Sequence, residues 1–326
     1  MTREPSLETV RKEIDAIDAA MHELIIRRTE LVEKVRRIKR DWQVKIQPSR
    51  EAEIVYGLLA RHSGPFPKRE LISIWRLLIT ATLSFEGRFS VAVLATDGAP
   101  GTWDVARDHF GAFTPVSRHG SVRAVIDAVR RQEATVGVLP LPSQDDADPW
   151  WRHLLTTHAD APKIIARLPF AGPSNAREGG VDALVVCPVA VKATGRDRTL
   201  LGADSDGELT AGQFAQALRQ AGLTPGFLAS RRETEPPHAF VFYAEVAGFV
   251  GADDPRLEVV RERCGAALHR LIWLGGYAEP PTAAELGAGW SAPALPAARP
   301  PARPEARGET GPASSDADGE RGSAAG

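Results

Sequence analysis

Three basic residues in the N-terminal segment have a spacing that could bind an anion. Apolar residues from Leu7 to Ile38 recur every three or four positions, which predicts one face of a long helix that packs against other helices. Arg28 interrupts this face, and a buried guanidinium costs free energy unless something anionic meets it. Lys39 follows eleven residues later, close to three turns, and Arg11 lies near the helix start. The pattern predicts a cationic cavity between helices that binds a small anion.

Each of these residues also has a structural interpretation. Arg11 and Lys39 could be solvated charges on a helix at a dimer interface, and Arg28 could pair with a buried glutamate. Arg50 and Glu51 could form an ion pair at the start of a helix. Because the residues occur together at this spacing, we favour the binding interpretation.

Three helices must position these side chains. The first is predicted from Ser6 to Arg40, the second from Ser49 to His62, and the third from Lys68 to about Phe89. Thr82 and Glu86, four residues apart, share one face of the third helix. Three helices, one of them very long, cannot bury the apolar face alone. We therefore expect an intertwined homodimer that forms through these N-terminal helices.

Composition excludes several classes of function. The chain has 326 residues and a net charge of −2, which argues against a general nucleic-acid or membrane-surface binder. No apolar run approaches the length of a membrane helix, and the charged N-terminus lacks a signal-peptide core, so we expect a cytoplasmic protein. Cys187 and Cys264 are expected to be buried, reduced thiols. No Cys/His spacing indicates a metal, and no glycine-rich phosphate loop is found, so we expect no cofactor.

The N-terminal motifs resemble the all-helical (type II) chorismate mutase family over roughly the first 90 residues. The similarity rests on residues 11–18, residues 27–35, Lys39, and the Ser49-Arg50-Glu51 triplet, in that order. Members of that family rearrange chorismate to prephenate in a domain-swapped helical dimer without a cofactor.

The resemblance implies a role for each matching residue. Arg28, Arg50, and Arg11 from the partner subunit would hold the two carboxylates of chorismate. Lys39 would contact the ether oxygen, and Glu51 would contact the ring hydroxyl. The remaining predicted substrate contacts are Gln47, Thr82 and Glu86.

Two positions depart from the common bacterial pattern of that family. Gln47 stands where an aspartate often precedes the Arg-Glu pair, so contacts near the ring hydroxyl are expected to differ. Glu86 stands where a neutral glutamine is common. A carboxyl group beside the ether oxygen helps only when it is protonated, because an anion would repel the charge that develops there. We therefore expect mutase activity to fall as the pH rises above neutrality.

The residues that follow, 89–195, alternate between strand and helix patterns. Gly98 to Trp103 and Gly137 to Pro140 are similar to motifs of the prephenate dehydratase catalytic domain, which implies a two-lobed α/β fold. Leu141 to Gln144 and Val181-Asp182-Ala183 replace the family's Glu-containing run and its Thr-Arg-Phe. Because a hydroxyl and a cation are lost, we expect no dehydratase activity. The predicted strands and helices are Ser90–Ala95, a helix through Phe110, Val122–Arg131, Thr135–Leu139, Lys163–Leu168 and Ala183–Val186.

Residues 196–278 have a βαββα pattern that is similar to an ACT regulatory domain, with a last helix predicted from Pro255 to Leu274. In dehydratases this domain binds phenylalanine at a dimer interface. Ala229–Arg232 and Leu209–Ala211 differ from the family's ligand-contacting motifs, so we favour a structural, dimer-forming role over phenylalanine binding. Residues 279–326 are rich in Pro, Ala, Gly and Ser, and we expect a disordered tail.

These patterns predict a multidomain α plus α/β protein, with a helical mutase domain at residues 1–88. The favoured function is chorismate mutase in aromatic amino acid biosynthesis, with chorismate as the substrate. One alternative is a bifunctional chorismate mutase/prephenate dehydratase. The other is a non-catalytic sensor of chorismate or aromatic amino acids.

Overall fold

Three helices open the computed structural model, which describes residues 6–96, 101–144, 149–158, 160–174, 176, 181–232 and 240–287. Helix α1 (Leu7–Ile38) follows Ser6, whose hydroxyl accepts the Thr9 N–H at 3.2 Å. Helix α2 (Pro48–Arg61) starts on a proline, whose missing N–H is not needed in a first turn. Helix α3 (Lys68–Glu86) ends at Gly87. The three predicted helices are therefore confirmed to within a few residues.

A mixed sheet of nine strands follows, with helices between the strands. The strand order is β2-β1-β3-β5-β4-β9-β6-β8-β7. The strands are β1 (Val91–Leu94), β2 (Val116–His119), β3 (Val136–Pro140), β4 (Lys163–Leu168), β5 (Ala183–Cys187), β6 (Asp197–Ser205), β7 (Pro225–Arg232), β8 (Phe240–Ala247) and β9 (Leu268–Ala278). The helices are α4 (Gly101–Phe110), α5 (Val122–Arg130), α6 (Ala211–Gln220), α7 (Pro255–Cys264) and α8 (Ala283–Leu286).

The sheet joins both predicted α/β segments into one layer. Residues 89–195 supply the five strands at one end, and residues 196–278 supply the four antiparallel strands at the other. The two halves meet where β4 pairs with β9 at Ile164 and Gly275. The two α/β segments thus share one continuous sheet.

Two elements in the sheet differ from the predictions. Strand β2 was not predicted, and the helix predicted from Pro255 to Leu274 is wrong after Cys264. Gly265 follows α7 with a φ of +63°, a conformation that ends helices and favours glycine. The chain then continues as β9, which pairs with β6 along its length. The second segment is therefore βαββαβ.

The predicted disordered tail begins too early. Residues 279–287 are ordered, and α8 starts with a capping box in which Thr282 and Glu285 satisfy each other's backbone N–H groups. Leu286 is buried against Ala52, Val55 and Ile72 of the mutase-like helices. The rest of the predicted tail, residues 288–326, lies outside the described residues.

The mutase-like helices pack on the sheet through α2 and α3. Ile46 and Leu83 join the apolar cluster that α4 forms with β1 and β3. Polar contacts extend this interface, since Tyr56 donates to the Glu279 carbonyl oxygen at 2.5 Å and Arg69 donates to the Ala171 carbonyl oxygen at 2.9 Å. No helix in the described part of the chain is long and apolar enough to cross a membrane.

Helix α1 differs from the other two, because its apolar face remains exposed. None of its residues is buried, and Ile17 and Leu24 are 59% and 64% exposed. A contiguous apolar face of this length on a long helix is typical of a protein–protein interface.

The β4–β9 junction gives the first testable prediction. Gly275 has a φ of +120°, and a Cβ added there would lie 2.2 Å from the Ile164 carbonyl oxygen. We expect Gly275→Ala to lower the free energy of unfolding by about 3 kcal/mol, because strain and a backbone clash add. Urea denaturation measures the change.

Gly222→Ala is the matched control for that substitution. Gly222 also has a positive φ, +76°, but an added Cβ would meet nothing within 4 Å. Gly222→Ala should lower the free energy of unfolding by about 1 kcal/mol, because only backbone strain is added. Equal costs at the two glycines would contradict the close approach of β4 and β9.

Candidate active site

Four of the predicted site residues come together where α1 meets the end of α3. The Arg28 Nη1 atom donates to the Leu78 carbonyl oxygen at 3.4 Å and to Thr82 Oγ1 at 3.5 Å. Both contacts are long, so the guanidinium keeps donor capacity for another partner. Partial burial lowers the pKa of Arg28, although an arginine remains charged.

Lys39 lies at the C-terminal end of α1 and faces the same helix. Its Nζ atom donates to Glu86 Oε2 at 3.3 Å and to the Lys45 carbonyl oxygen at 3.3 Å. The two paired side chains are only 16% and 8% exposed. The eleven-residue spacing of Arg28 and Lys39 thus directs both cations toward Thr82 and Glu86, as a helix of 3.6 residues per turn requires.

A cationic cleft opens beside this cluster. The charged residues of its lining are two glutamates and four basic residues: Glu33, Glu86, Arg36, Arg37, Arg40 and Lys45. An excess of positive charge at the entrance raises the local concentration of anions and speeds their association. The cleft is therefore suited to a small molecule with more than one negative charge.

Glu51 is buried, and it faces α3. Its Oε2 atom accepts a hydrogen bond from Arg76 Nη1 at 2.6 Å. Burial raises the pKa of Glu51, while the charges of Arg76 and Lys39 act in the opposite direction. Gln47 is half-buried at the N-terminal end of α2, where its carbonyl oxygen accepts the Glu51 N–H at 3.0 Å.

Besides Glu51 and Gln47, two further predicted residues lie outside the cluster. Arg50 is exposed and pairs with Glu53, three residues later, at 3.1 Å. Arg11 is exposed near the other end of α1, seventeen residues before Arg28, which is about 25 Å along a helix. One small ligand cannot contact both Arg11 and Arg28 of the same chain.

Arg76 is a buried charge that the sequence predictions missed. It is 7% exposed, and its guanidinium lies 4.9 Å from the centre of the Phe170 ring. A signal was present, since Arg76 is the only charged residue between Glu70 and Glu86. A lone charge in an apolar helix usually has a buried partner.

The dehydratase-like motifs are also placed by the structure. Gly101 to Trp103 begin α4, and Thr102 is buried, whereas residues 98–100 lie outside the described residues. Asp182 accepts a hydrogen bond from Arg167 Nη2 at 2.7 Å. Within the described ranges, no group of three or more His, Cys, Asp or Glu side chains is arranged to hold a metal ion.

Comparison with known families identifies the N-terminal helices. Residues 10–87 match the family model for chorismate mutase type II. This segment is a type II chorismate mutase domain. The matched range contains all eight predicted site residues, from Arg11 to Glu86.

Two curated relatives align with less than half of this chain. The bifunctional chorismate mutase/prephenate dehydratase of Aquifex aeolicus is 33% identical over 140 residues, which are 41% of this chain and 38% of the relative. The protein of the same name from Pseudomonas aeruginosa is 26% identical over 147 residues, which are 43% and 40% of the two chains. The alignments thus span about two fifths of each relative.

One solved structure covers more of the chain at lower identity. The prephenate dehydratase of Arthrobacter aurescens in complex with L-Phe is 12% identical, with a TM-score of 0.44. The superposition covers 62% of this chain and 93% of that one.

Proposed function

We propose that this chain is a chorismate mutase that rearranges chorismate to prephenate in aromatic amino acid biosynthesis. The observation that carries the proposal is the cluster of Arg28, Lys39, Thr82 and Glu86 between α1 and α3. It lies within the matched mutase domain and beside the cationic cleft. Chorismate is a small dicarboxylate, and its charge complements the cleft.

The reaction needs no nucleophile and no general base, because the rearrangement is pericyclic. The barrier falls when the dianion is held in a folded, chair-like conformation. Arg28 would bind one carboxylate, because a planar guanidinium donates to two oxygens at once. Arg11 of a second chain would bind the other carboxylate. Arg50 would reach the edge of the site once its side chain, which is exposed in this structure, turns inward.

The second contribution is electrostatic. Negative charge grows on the ether oxygen as its bond to carbon breaks, and a donor placed there stabilises the transition state more than the substrate. Lys39 would donate to this oxygen from one side, and Glu86 would contact it from the other. The Lys39–Glu86 contact supports this assignment, because it brings both groups within reach of one oxygen atom. Thr82 would line the pocket, while Glu51 and Gln47 would lie at the ring hydroxyl.

A homodimer through α1 follows from the same proposal. The exposed apolar face of α1 requires a partner, and Arg11 is too far from Arg28 to serve its own site. A two-fold dimer of long helices would bring Arg11 of each subunit to the cluster of the other. Two equivalent sites would then be shared between the chains.

Complementation between two variants tests the shared site. Arg11→Ala and Arg28→Ala should each lower turnover by about a hundredfold, because each loses a charged donor to the substrate. When the two variants are mixed in equal amounts and their subunits exchange, about half of the dimers are mixed, and each mixed dimer contains one intact site of two. The mixture should therefore recover about a quarter of wild-type activity. Loss of chorismate absorbance gives the rate.

Each variant carried separately through the same exchange is the control, and circular dichroism checks that both fold. A mixture no more active than its parents would contradict the contribution of Arg11 across the dimer. Near-wild-type turnover of Arg28→Ala alone would overturn the assigned site.

Two substitutions test Glu86. The amide of Glu86→Gln can still donate to the ether oxygen and carries no charge, so this variant should keep kcat, whereas Glu86→Ala should lower kcat about a hundredfold. Initial rates of both variants at one pH measure the difference. If both variants lose the same rate, Glu86 does not contact the ether oxygen.

A bifunctional chorismate mutase/prephenate dehydratase is the second candidate, because both curated relatives carry that name. We favour the mutase alone. Asp182 stands where the dehydratase motif has its cation, and Arg167, the basic residue beside it, is paired with Asp182 itself. An anionic substrate would meet a carboxylate at this position.

Incubation with prephenate separates these two candidates. We expect no phenylpyruvate, which is detected by its absorbance in alkali, because Val181 and Asp182 replace the hydroxyl and the cation of the dehydratase motif. The same preparation must convert chorismate, which shows that it is active. Catalytic formation of phenylpyruvate would establish the bifunctional enzyme.

A further inference from the structure

The ion pair between Glu51 of α2 and Arg76 of α3 lies inside the mutase domain, on the side that faces the α/β region. Both residues are 7% exposed, and the Arg76 Nη1 to Glu51 Oε2 distance is 2.6 Å. Well-packed apolar residues are often at least as stabilising as a buried ion pair, because both charges lose their hydration. Packing alone therefore does not explain why α2 and α3 place opposite charges here.

Groups from the α/β region hold the guanidinium in place. The Phe170 ring lies 4.9 Å from the Arg76 guanidinium carbon, a cation–π contact. His109 of α4 lines the same cavities as Arg76, and burial together with the charge of Arg76 keeps the pKa of His109 well below the usual value. A neutral imidazole adds no repulsion to the arginine. The position of Arg76 thus depends on residues outside the mutase domain.

Charges of alternating sign connect Arg76 to the proposed site. Glu86 pairs with Lys39, the charge of Lys39 acts on Glu51, and Glu51 pairs with Arg76. The cavity that Glu51 lines beneath α2 is otherwise formed by apolar side chains, with Arg76 and His109 as its other titratable residues. Lys39 and Arg76 are therefore the cations that set the state of Glu51.

We propose that Arg76 is a positioning residue of the mutase site, which holds the Glu51 carboxylate in the orientation that accepts the ring hydroxyl of chorismate. Through Phe170, the α/β region then supports the mutase reaction itself. This inference rests on the proposed function, and it gives the non-mutase part of the chain a role that needs no dehydratase activity.

Substitution of Arg76 tests the proposal in the full-length protein. In Arg76→Met, Glu51 loses its main counter-charge, so a larger fraction of it is protonated at neutral pH. We expect kcat/KM for chorismate to fall about tenfold, mainly through KM, since one hydrogen bond to substrate is lost. The acidic limb of the pH profile should move to higher pH, because activity requires ionised Glu51. Arg76→Lys should restore part of the rate.

Arg69→Met is the matched control. Arg69 lies two turns earlier on α3 and also contacts the α/β region, but it binds backbone carbonyl oxygens of Ala171 and Pro173. Its loss should leave the pH profile unchanged. A purely structural role of Arg76 predicts the same result for both variants, which would overturn the proposal.

Glu51→Gln completes the comparison. If Arg76 acts through Glu51, adding Arg76→Met to Glu51→Gln should change kcat/KM less than twofold, whereas independent effects would multiply. The double variant carries no unpaired buried charge, so it folds even if Arg76→Met does not. In that event Phe170→Leu, which keeps both charges, must shift the acidic limb in the same direction. An unshifted limb in folded Arg76→Met or in Phe170→Leu contradicts the inference.

The outcome for the proposed function is separate. Wild-type kinetics in Arg76→Met and Glu51→Gln, together with an inactive Arg28→Ala, would reject the role of Arg76 and leave the mutase assignment intact. An inactive wild-type protein would reject both.

Discussion

Positive charge held between packed helices is the constraint on which the N-terminal domain depends. The side chains of Arg28 and Lys39 are partly desolvated. Helix α3 offers them a backbone carbonyl oxygen, a hydroxyl and one carboxylate as partners. Those contacts are long, between 3.3 and 3.5 Å. The protein groups therefore satisfy the two cations only weakly, so a bound dianion would add the short, charge-assisted hydrogen bonds that α3 does not supply.

Helix α3 serves two interfaces at once. One side carries Thr82 and Glu86 toward α1, and another carries Arg76 toward Phe170 and the sheet. A change in how α3 packs on the α/β region must therefore alter the geometry around Lys39. Packing on the α/β region also explains how three helices can form a defined structure although the apolar face of α1 is exposed: α2 and α3 bury their apolar side chains against the sheet and its loops.

The sequence predicted elements whose pattern is local and missed those defined by distant partners. The apolar periodicity of α1 and the proline at the start of α2 were sufficient for the three helices. The end of α7 was also readable, at Gly265, but the apolar run after it fits helix and strand alike. These residues form strand β9 because they pair with β6, a contact that the local sequence does not reveal. Helix α8 was missed because the composition of the tail outweighed one short capping box.

The candidate site follows the same division. The spacing of Arg28 and Lys39 on α1, and of Thr82 and Glu86 on α3, is helical geometry, so the sequence was enough to bring them together. The partner of Glu51 was not predictable, because Arg76 lies 25 residues later on another helix and only the tertiary fold brings them to 2.6 Å. Arg11 is exposed and far from the cluster, and its proposed role would need a second chain, which one sequence read alone does not specify.

The burial of Leu286 beside Ala52, Val55 and Ile72 has a consequence for synthesis on the ribosome. Helices α2 and α3 emerge early, yet the side chain that closes their apolar surface is added more than 200 residues later. The apolar surface of the nascent mutase domain therefore stays exposed to solvent until the residues of the sheet and α8 have been synthesised. Contacts of such long sequence separation form late and leave apolar groups open to chaperones in the meantime.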